Sequence, residues 1–535
     1  MRARAWHHRF ALVGGILAGG MPAAAPLAAQ QSAPATRRST PAEDLQLFSQ
    51  VLNQIRVNHP DSVDTHELFM AAIEGMVRAA DPHSYVIAAT RLAPEKEKAL
   101  REGKLVPVPI EFEFIGGAPV VISLAPASAA ARLDILPGDE LVGAQGGAIV
   151  ARNVAELEVA LAGPKGSDAE LIFERRRDDG SWATLRRAVR RERAQEGTAV
   201  PAAFLLDSIT GYVRLATFEG DRVEGEMGAA LARLEKAGMQ RLVLDLRDNG
   251  GGRVAAAAKI AALFLAAGSL VYTAEGRKLE PDDTVRASRP FWRSRKDYPI
   301  VLMVNAGTAS ASELVAGTLQ DHDRALIYGR PTFGKALIMR AFPLTDGSVA
   351  MLVVGRVRTP CGRLVQREYH RVTTREYYRQ ARTERELAGR PTCHTDGGRT
   401  VYGGGGIFPD VLAPESDGRP LWLVRVLEQD LPLRWTGGYV SAHAAELPQP
   451  RAGTAPMLPV GALADFHAFA AAQGVSIPAD ADADRLLDRL LLRWVAQLRW
   501  GDEVSAETAA RLDGQVEAAR AQFGRAAEVL AARRR

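Results

Sequence analysis

The stretch Tyr298–Gln320, YPIVLMVNAGTASASELVAGTLQ, decides the fold. Its apolar run Ile300 to Val304 has the length and β-branched content of a buried strand. A turn follows, and Ser310-Ala311-Ser312-Glu313 then opens an apolar helix with the S-x-x-E spacing of a capping box. The same order, strand then glycine-rich loop then helix, occurs upstream in MQRLVLDLRDNGGGRVAAAAKIAALFL, residues 239–265. Strands that alternate with helices in this way indicate an α/β core. Ligands of such cores bind where strands end and helices begin, and both loops lie at that end.

Working outward, the α/β pattern runs over residues 200–415, with GYVRLATF, ALIYG and GSVAMLVVGRVRT as further strands. Residues 106–180 are different: short apolar runs such as PVVISL and AELIFER alternate with LPGDELVG and one short helix, a compact β-rich module. Residues 44–105 carry apolar positions at helical spacing, Leu47, Val51 and Ile55, then Leu68, Ala72 and Met76, closed by Asp81-Pro82-His83-Ser84. Residues 416–535 are helical again beyond a Pro-rich linker, and residues 30–43 are a polar linker. The expected fold class is α/β multidomain: a helical N-terminal module, a β-rich domain, an α/β core and a helical C-terminal extension.

Residues 1–29 combine a basic start, MRARAWHHR, with an uncharged segment that ends in small residues near Ala29. This is the pattern of a secretory signal; a membrane anchor is the rival reading. The formal net charge is +4, and Arg2, Arg4 and Arg9 supply three of these charges. The remainder is close to neutral, which makes no case for nucleic acid. Charged residues at 24% and hydrophobic ones at 47% are ordinary for a globular chain. The two cysteines, Cys361 and Cys393, fit no zinc spacing, and an exported chain can join them in a disulfide.

Ser310 reads either as a helix cap or as a nucleophile. His322 is too far to activate it: twelve residues along one helix is roughly 18 Å, and it reads as an exposed residue near the helix end. Lys335, in GRPTFGKALIM, is a better base, because apolar neighbours can lower a free pKa of about 10.4 toward neutrality. The Ala311 N–H at the helix start and the N–H groups of Gly250, Gly251 and Gly252 are oxyanion donor candidates. DNGGGR also reads as a plain tight turn or a phosphate loop, although it lacks both nucleotide-binding glycine patterns. His83 and Ser84 read as a turn that closes the helical module.

Together these segments resemble the carboxyl-terminal processing, or tail-specific, proteases. AAIEGMVRAADPHSYV resembles the family's N-terminal helical element; LPGDELVG and LAGPKGSDAEL resemble its PDZ domain. GYVRLATF, LVLDLRDNGGG, NAGTASASELVAGTLQDHDRA, GRPTFGK, RTPCGRLVQ and GGGGIFPDV resemble its catalytic core, in order. The resemblance implies a serine endopeptidase with Ser310 as nucleophile and Lys335 as base. Asp321 and Arg324 then support the core, and no metal or cofactor is required. It also implies a periplasmic setting, protein or peptide substrates recognised near their C-terminus, and room for a regulatory protein partner. The alternative is a PDZ-containing relative that binds peptides as an adaptor without cleaving them. Three features depart from the family pattern. Met339 stands where a glutamine usually follows the lysine, Gly116-Gly117 replaces the usual carboxylate-binding loop, and an insert containing EYYRQARTEREL separates RLVQ from GGGGI.

Overall fold

The computed structural model describes residues 39–533, apart from 88–93, 116–117, 125–129, 131–132, 134, 136–138, 150, 152–153, 177–181, 193–197, 278–282, 289–296, 371–379, 381–386, 415–419, 430, 451–452 and 455. The signal segment, Gly116-Gly117, the start of LPGDELVG and most of EYYRQARTEREL lie outside the described residues.

The chain divides into two units, residues 1–71 and 72–535. In the first, helix α1 (Pro41–Asn58) is capped by Thr40 and Glu43, and helix α2 (Thr65–Ala80) begins. The Phe48 and Phe69 rings meet at 5.6 Å. The division falls inside α2, so the helical module expected over 44–105 is shared between the units.

The second unit begins with the end of α2, then strand β1 (Tyr85–Ile87) and helix α3 (Pro94–Arg101). A β-rich module follows, with β2 (Ile110–Ile115), β3 (Ala118–Leu124), β4 (Glu140–Ala144), β5 (Gly147–Ala148), helix α4 (Val154–Leu161), β6 (Asp168–Arg176) and β7 (Trp182–Arg190). Its sheet order is β2-β3-β4-β6-β7. It has a core of its own around Val121, Leu141, Leu157, Leu171 and Phe173.

The central sheet is built from β8 (Ala202–Leu205), β9 (Thr210–Arg214), β10 (Arg241–Asp245), β13 (Ile300–Val304), β14 (Leu326–Gly329) and β19 (Val411–Leu412), in the order β19-β14-β13-β10-β9-β8. All neighbours are parallel except β8 on β9. Helices α5 (Val223–Lys236), α6 (Val254–Ala262) and α7 (Ala311–Asp321) connect them. Alternation along each strand divides the side chains between two cores. Leu242, Leu244, Ile300, Leu302 and Ile327 pack with α5, α6 and α7. Val243, Val301, Met303, Leu326 and Tyr328 face the other way, onto Ala510, Val516, Phe523, Ala526 and Val529. A parallel sheet is apolar on both faces and needs both covered. Helices Asp502–Arg511, Gly514–Arg520 and Phe523–Ala532 therefore belong to the core as its second layer. The sequence pattern had assigned them to the extension. Helices between Leu421 and Trp500 form a separate cluster around Trp435, Phe466, Leu487 and Leu491.

A second sheet flanks the core. It contains β11 (Leu270–Glu275), β12 (Asp283–Arg286), β15 (Leu337–Pro343) and β16 (Val349–Arg358), with β1 joined to β16. The hairpin β17 (Thr392–His394) and β18 (Thr400–Tyr402) stands apart, and a disulfide ties its Cys393 to Cys361.

Phe523 is buried, and the Arg241 guanidinium lies 4.8 Å from its ring. Phe523→Ala is expected to destabilise the fold by about 3–5 kcal/mol, read as a lower midpoint in urea unfolding. A change within error would mean that these last helices do not serve as the second layer.

Candidate active site

Ser310 stands at the N-terminus of α7 with φ 56° and ψ −117°, a left-handed conformation rare for serine. Such backbone costs of order 1–3 kcal/mol and persists only where its surroundings fix it. The neighbouring hydroxyls do part of the fixing. Thr308 Oγ1 donates to the Leu246 carbonyl at 2.8 Å, and Ser312 Oγ donates to the Asn249 carbonyl at 2.9 Å. The Ala309 N–H also donates to the Asn249 carbonyl, at 3.0 Å. Of the three alternating hydroxyls, only that of Ser310 is not committed to a backbone carbonyl.

The loop after β10 is stitched to the same turn. Asp248 N–H donates to Asn305 Oδ1 and Asn305 Nδ2 donates to Asp248 Oδ1, both at 2.9 Å. Gly251 is at φ 102°, and a side-chain carbon there would lie 2.9 Å from Ser310 Cβ and 2.7 Å from the Ala309 carbonyl oxygen. Its backbone thus touches the Ser310 turn as only glycine can. The Gly251 N–H is spent on Asn249 Oδ1 at 3.0 Å, which removes it from the oxyanion donors. Ala311, Gly250 and Gly252 remain as candidates.

Glu313 binds the two halves of the site. It is fully buried, and its carboxylate accepts four hydrogen bonds. Ser310 N–H donates at 2.9 Å and Lys335 N–H at 2.8 Å, both to Oε2. Gly334 N–H donates at 2.7 Å and Thr332 Oγ1 at 2.5 Å, both to Oε1. Burial pushes its pKa up to about 7 even against these four donors. The S-x-x-E spacing identified Glu313 only as a cap. Its other partners come from a loop about twenty residues downstream, which no local pattern signals.

Lys335 is partly buried beside Ser310. Both line a narrow cavity of about 20 Å³, whose other walls include Val254, Leu314, Leu337 and Val365. Burial lowers the Lys335 pKa, while the negative charges of Glu313 and Asp81 pull the other way. Its Nζ makes its hydrogen bond to Met339 Sδ at 3.6 Å, and not to Ser310 Oγ.

The remaining sequence-derived residues lie deeper. Asp321 pairs with the buried Arg363 at 2.7 Å and accepts the Cys361 N–H at 3.1 Å. Arg324, fully buried, donates to the Phe264 and Tyr298 carbonyls at 3.0 and 2.9 Å. His322 is not exposed, as its place near the helix end had suggested. It is buried at the far end of α7, bonded to Asp396 and to the Leu270 carbonyl, each at 2.7 Å. Among the described residues no cluster of His, Cys, Asp or Glu could hold a metal ion.

Residues 209–374, which hold most of the central α/β core, match the model of peptidase family S41. The resemblance to carboxyl-terminal processing proteases holds. The chain is 32% identical over 311 residues to carboxyl-terminal-processing peptidase 2, chloroplastic, of Arabidopsis thaliana, covering 56% of this chain and 59% of the relative. It is 29% identical over 332 residues to the carboxy-terminal-processing protease of Bartonella bacilliformis, covering 61% and 73%. The chain thus spans about three-fifths of the length of the Arabidopsis relative. Among solved structures, a photosystem II D1 C-terminal processing protease matches at 25% identity and a TM-score of 0.34, over 69% of this chain and 92% of that one.

Glu313 gives a stability test with a definite sign. Its folded pKa, about 7, lies above its ordinary value of 4.5. Between these values the folded chain holds a proton that the unfolded chain has released, so this group's contribution to stability falls as pH rises through the window. Gln at this position cannot titrate. The stability difference between the native chain and Glu313→Gln, from denaturant unfolding, is expected to move against the native chain from pH 5 to 7.5. A difference that moves in its favour would refute the assignment.

Proposed function

We propose that this chain is an exported serine endopeptidase in which Ser310 is the nucleophile and Lys335 the general base. The observation that carries this reading is the shared cavity. Ser310 and Lys335 line one small apolar opening, and one buried carboxylate, Glu313, holds both backbones. The S41 match and the names of the relatives support the same reaction class.

In this mechanism the neutral Lys335 amine leaves Met339 Sδ and accepts the Ser310 proton as Oγ attacks the scissile carbonyl. The tetrahedral oxyanion is met by the Ala311 N–H at the positive end of α7, and by the N–H of Gly250 or Gly252. The lysine ammonium then gives its proton to the leaving amine, and water repeats the sequence to release the acyl group. Asp321 and Arg324 keep α7 in place from behind. The β-rich module over 106–180 is the substrate-binding domain, adding a substrate C-terminus to its sheet as an extra strand. Substrates are protein or peptide chains, and a regulatory protein partner is compatible with this layout. The basic start and apolar segment of residues 1–29 support export to the periplasm. No helix among the described residues is long and apolar enough to cross a membrane.

Ser310→Ala is expected to lower turnover of an unstructured polypeptide by about 10³-fold or more, with the native chain's kcat/KM rising with pH as Lys335 deprotonates. Burial sets that titration below the ordinary lysine range, so the rise belongs on the acid side of it. Full activity in the variant, or a flat profile from about pH 5 to 9, would exclude the dyad.

Met339→Gln tests the site's departure from its family. An amide can orient the amine where a thioether barely can. The expected result is a kcat raised about fivefold, equivalent to ~1 kcal/mol, with little change in KM. A lowered kcat would mean that the site has been rebuilt around methionine.

A further inference from the structure

The turn Asp81-Pro82-His83-Ser84 read as a plain closure of the helical module, yet it is docked against the lysine loop and β16. Asp81 Oδ1 accepts the N–H groups of His83 and Ser84 at 2.8 and 2.7 Å, and Asp81 Oδ2 accepts Ser84 Oγ at 2.6 Å. Ser84 Oγ in turn accepts the Val353 N–H of β16 at 3.0 Å. Val353 is the cross-strand partner of Met339, four residues beyond Lys335 on β15. Strand β1, immediately after the turn, continues the attachment by pairing Tyr85 with Met351. The turn is thus built onto the strand pair into which the lysine loop leads.

His83 is buried and points its ring toward the lysine loop. The ring meets Phe333, two residues before Lys335, edge-on at 6.4 Å, and Tyr369 edge-on at 6.3 Å. Phe333 is itself anchored to the nucleophile's loop, its N–H donating to the Thr308 carbonyl at 3.0 Å. Glu313 grips the lysine loop on its α7 side, and the histidine turn grips it on the β16 side.

We propose that His83 is a positioning residue for Lys335, an uncharged ring that backs the amine and keeps it dry and aimed at Ser310 where this chain has Met339 in place of an amide. This rests on the dyad reading above. Burial first, and then the positive charge of Lys335, push the imidazole pKa down to about 4 against the pull of Asp81. The ring is therefore neutral wherever the amine can act as a base. A neutral ring adds no repulsion to the ammonium that forms when Ser310 gives up its proton. Asp81, fixed by the turn, adds a negative charge that favours the ammonium. The charged or titratable groups that bear on Lys335 are thus Glu313 from α7, and Asp81 and His83 from the turn, with Tyr369 and His370 beyond the imidazole.

The test is a double-mutant cycle on the full chain, with an unstructured fluorogenic polypeptide as substrate and a fluorophosphonate as a probe of Ser310 acylation. His83→Ala is expected to lower kcat and the acylation rate about tenfold with KM nearly unchanged. It should also move the acidic limb of kcat/KM up by about one pH unit, because water replaces the ring beside the amine. In the Met339→Gln background the amide takes over, and the same substitution should cost about twofold or less. His83→Gln, which keeps a neutral polar group of similar reach, should stay within about threefold of the native chain. A merely structural histidine predicts equal losses in both backgrounds and an unmoved acidic limb, and either result overturns the inference. If His83→Ala does not fold, His83→Gln decides: a tenfold loss with an unchanged melting temperature overturns it. A native chain without Ser310-dependent turnover defeats the dyad and this inference with it. Ser310-dependent turnover with equal His83 losses defeats this inference alone.

Discussion

One buried carboxylate sets the geometry on which the site depends. Glu313 lies out of water with four donors converging on its two oxygens, one from the start of α7 and three from the loop Thr332–Lys335. Burying a carboxylate without such partners would cost several kcal/mol, so the donors and the acid stabilise one another. The consequence is mechanical. Ser310 is held in a left-handed conformation that it would not choose, and the backbone of Lys335 is held against the same acid. A shift of the lysine loop would break three of these bonds, and unwinding of the helix start would break the fourth. The proposed nucleophile and its proposed base therefore move together or not at all.

The platform for that clamp is the parallel sheet, and its rigidity comes from being covered on both faces. Asp245, at the end of β10 beneath the glycine loop, shows how the layers are joined. Burial alone would raise its pKa, but Arg247 and Arg214 hold it below the usual carboxylate range. Tyr212 OH also donates to it, at 2.8 Å. Arg247 reaches past Asp245 to Asp513 at 2.7 Å and Gln515 at 2.9 Å, on the last helices of the chain. The same arginine that satisfies the buried acid under the glycine loop thus pins the second helical layer to the sheet. Residues hundreds of positions apart steady the loop against which Ser310 is packed.

Much of this was legible in the sequence because it is periodic. The apolar runs at Leu242–Leu246 and Ile300–Val304, each followed by a loop and a helix, identified the α/β core, and the order of motifs carried the resemblance to carboxyl-terminal processing proteases. What the sequence hid is non-local. The two-sided burial of Val243 and Val301 requires a second layer, but nothing in the pattern of residues 502–532 distinguishes a layer helix from an extension helix. Glu313 looked like a cap because its first partner is three residues away, while three of its four bonds come from Thr332, Gly334 and Lys335. His83 looked like part of a turn and is one. Its place beside Phe333 arises from β1 pairing with β16, a contact between segments more than 260 residues apart. His322 looked exposed because it ends a helix. Asp396, from the hairpin beside the disulfide, covers it.

The lysine shows two physical demands in opposition. Burial in an apolar cavity lowers its pKa and so favours the neutral amine, but apolar walls offer nothing to aim that amine. A thioether at 3.6 Å is a weak acceptor, so Met339 serves the first demand better than the second. Backbone bonds to Glu313 fix where the lysine begins but leave four methylene groups free to rotate. Direction must then come from groups that crowd the amine without charging it, and a buried, neutral imidazole on a turn welded to β16 has both properties. Departure from the family's glutamine need not silence such a site. In the proposed site, the task of aiming the base passes from a neighbour on β15 to a segment that folds onto β16 from the far end of the sequence.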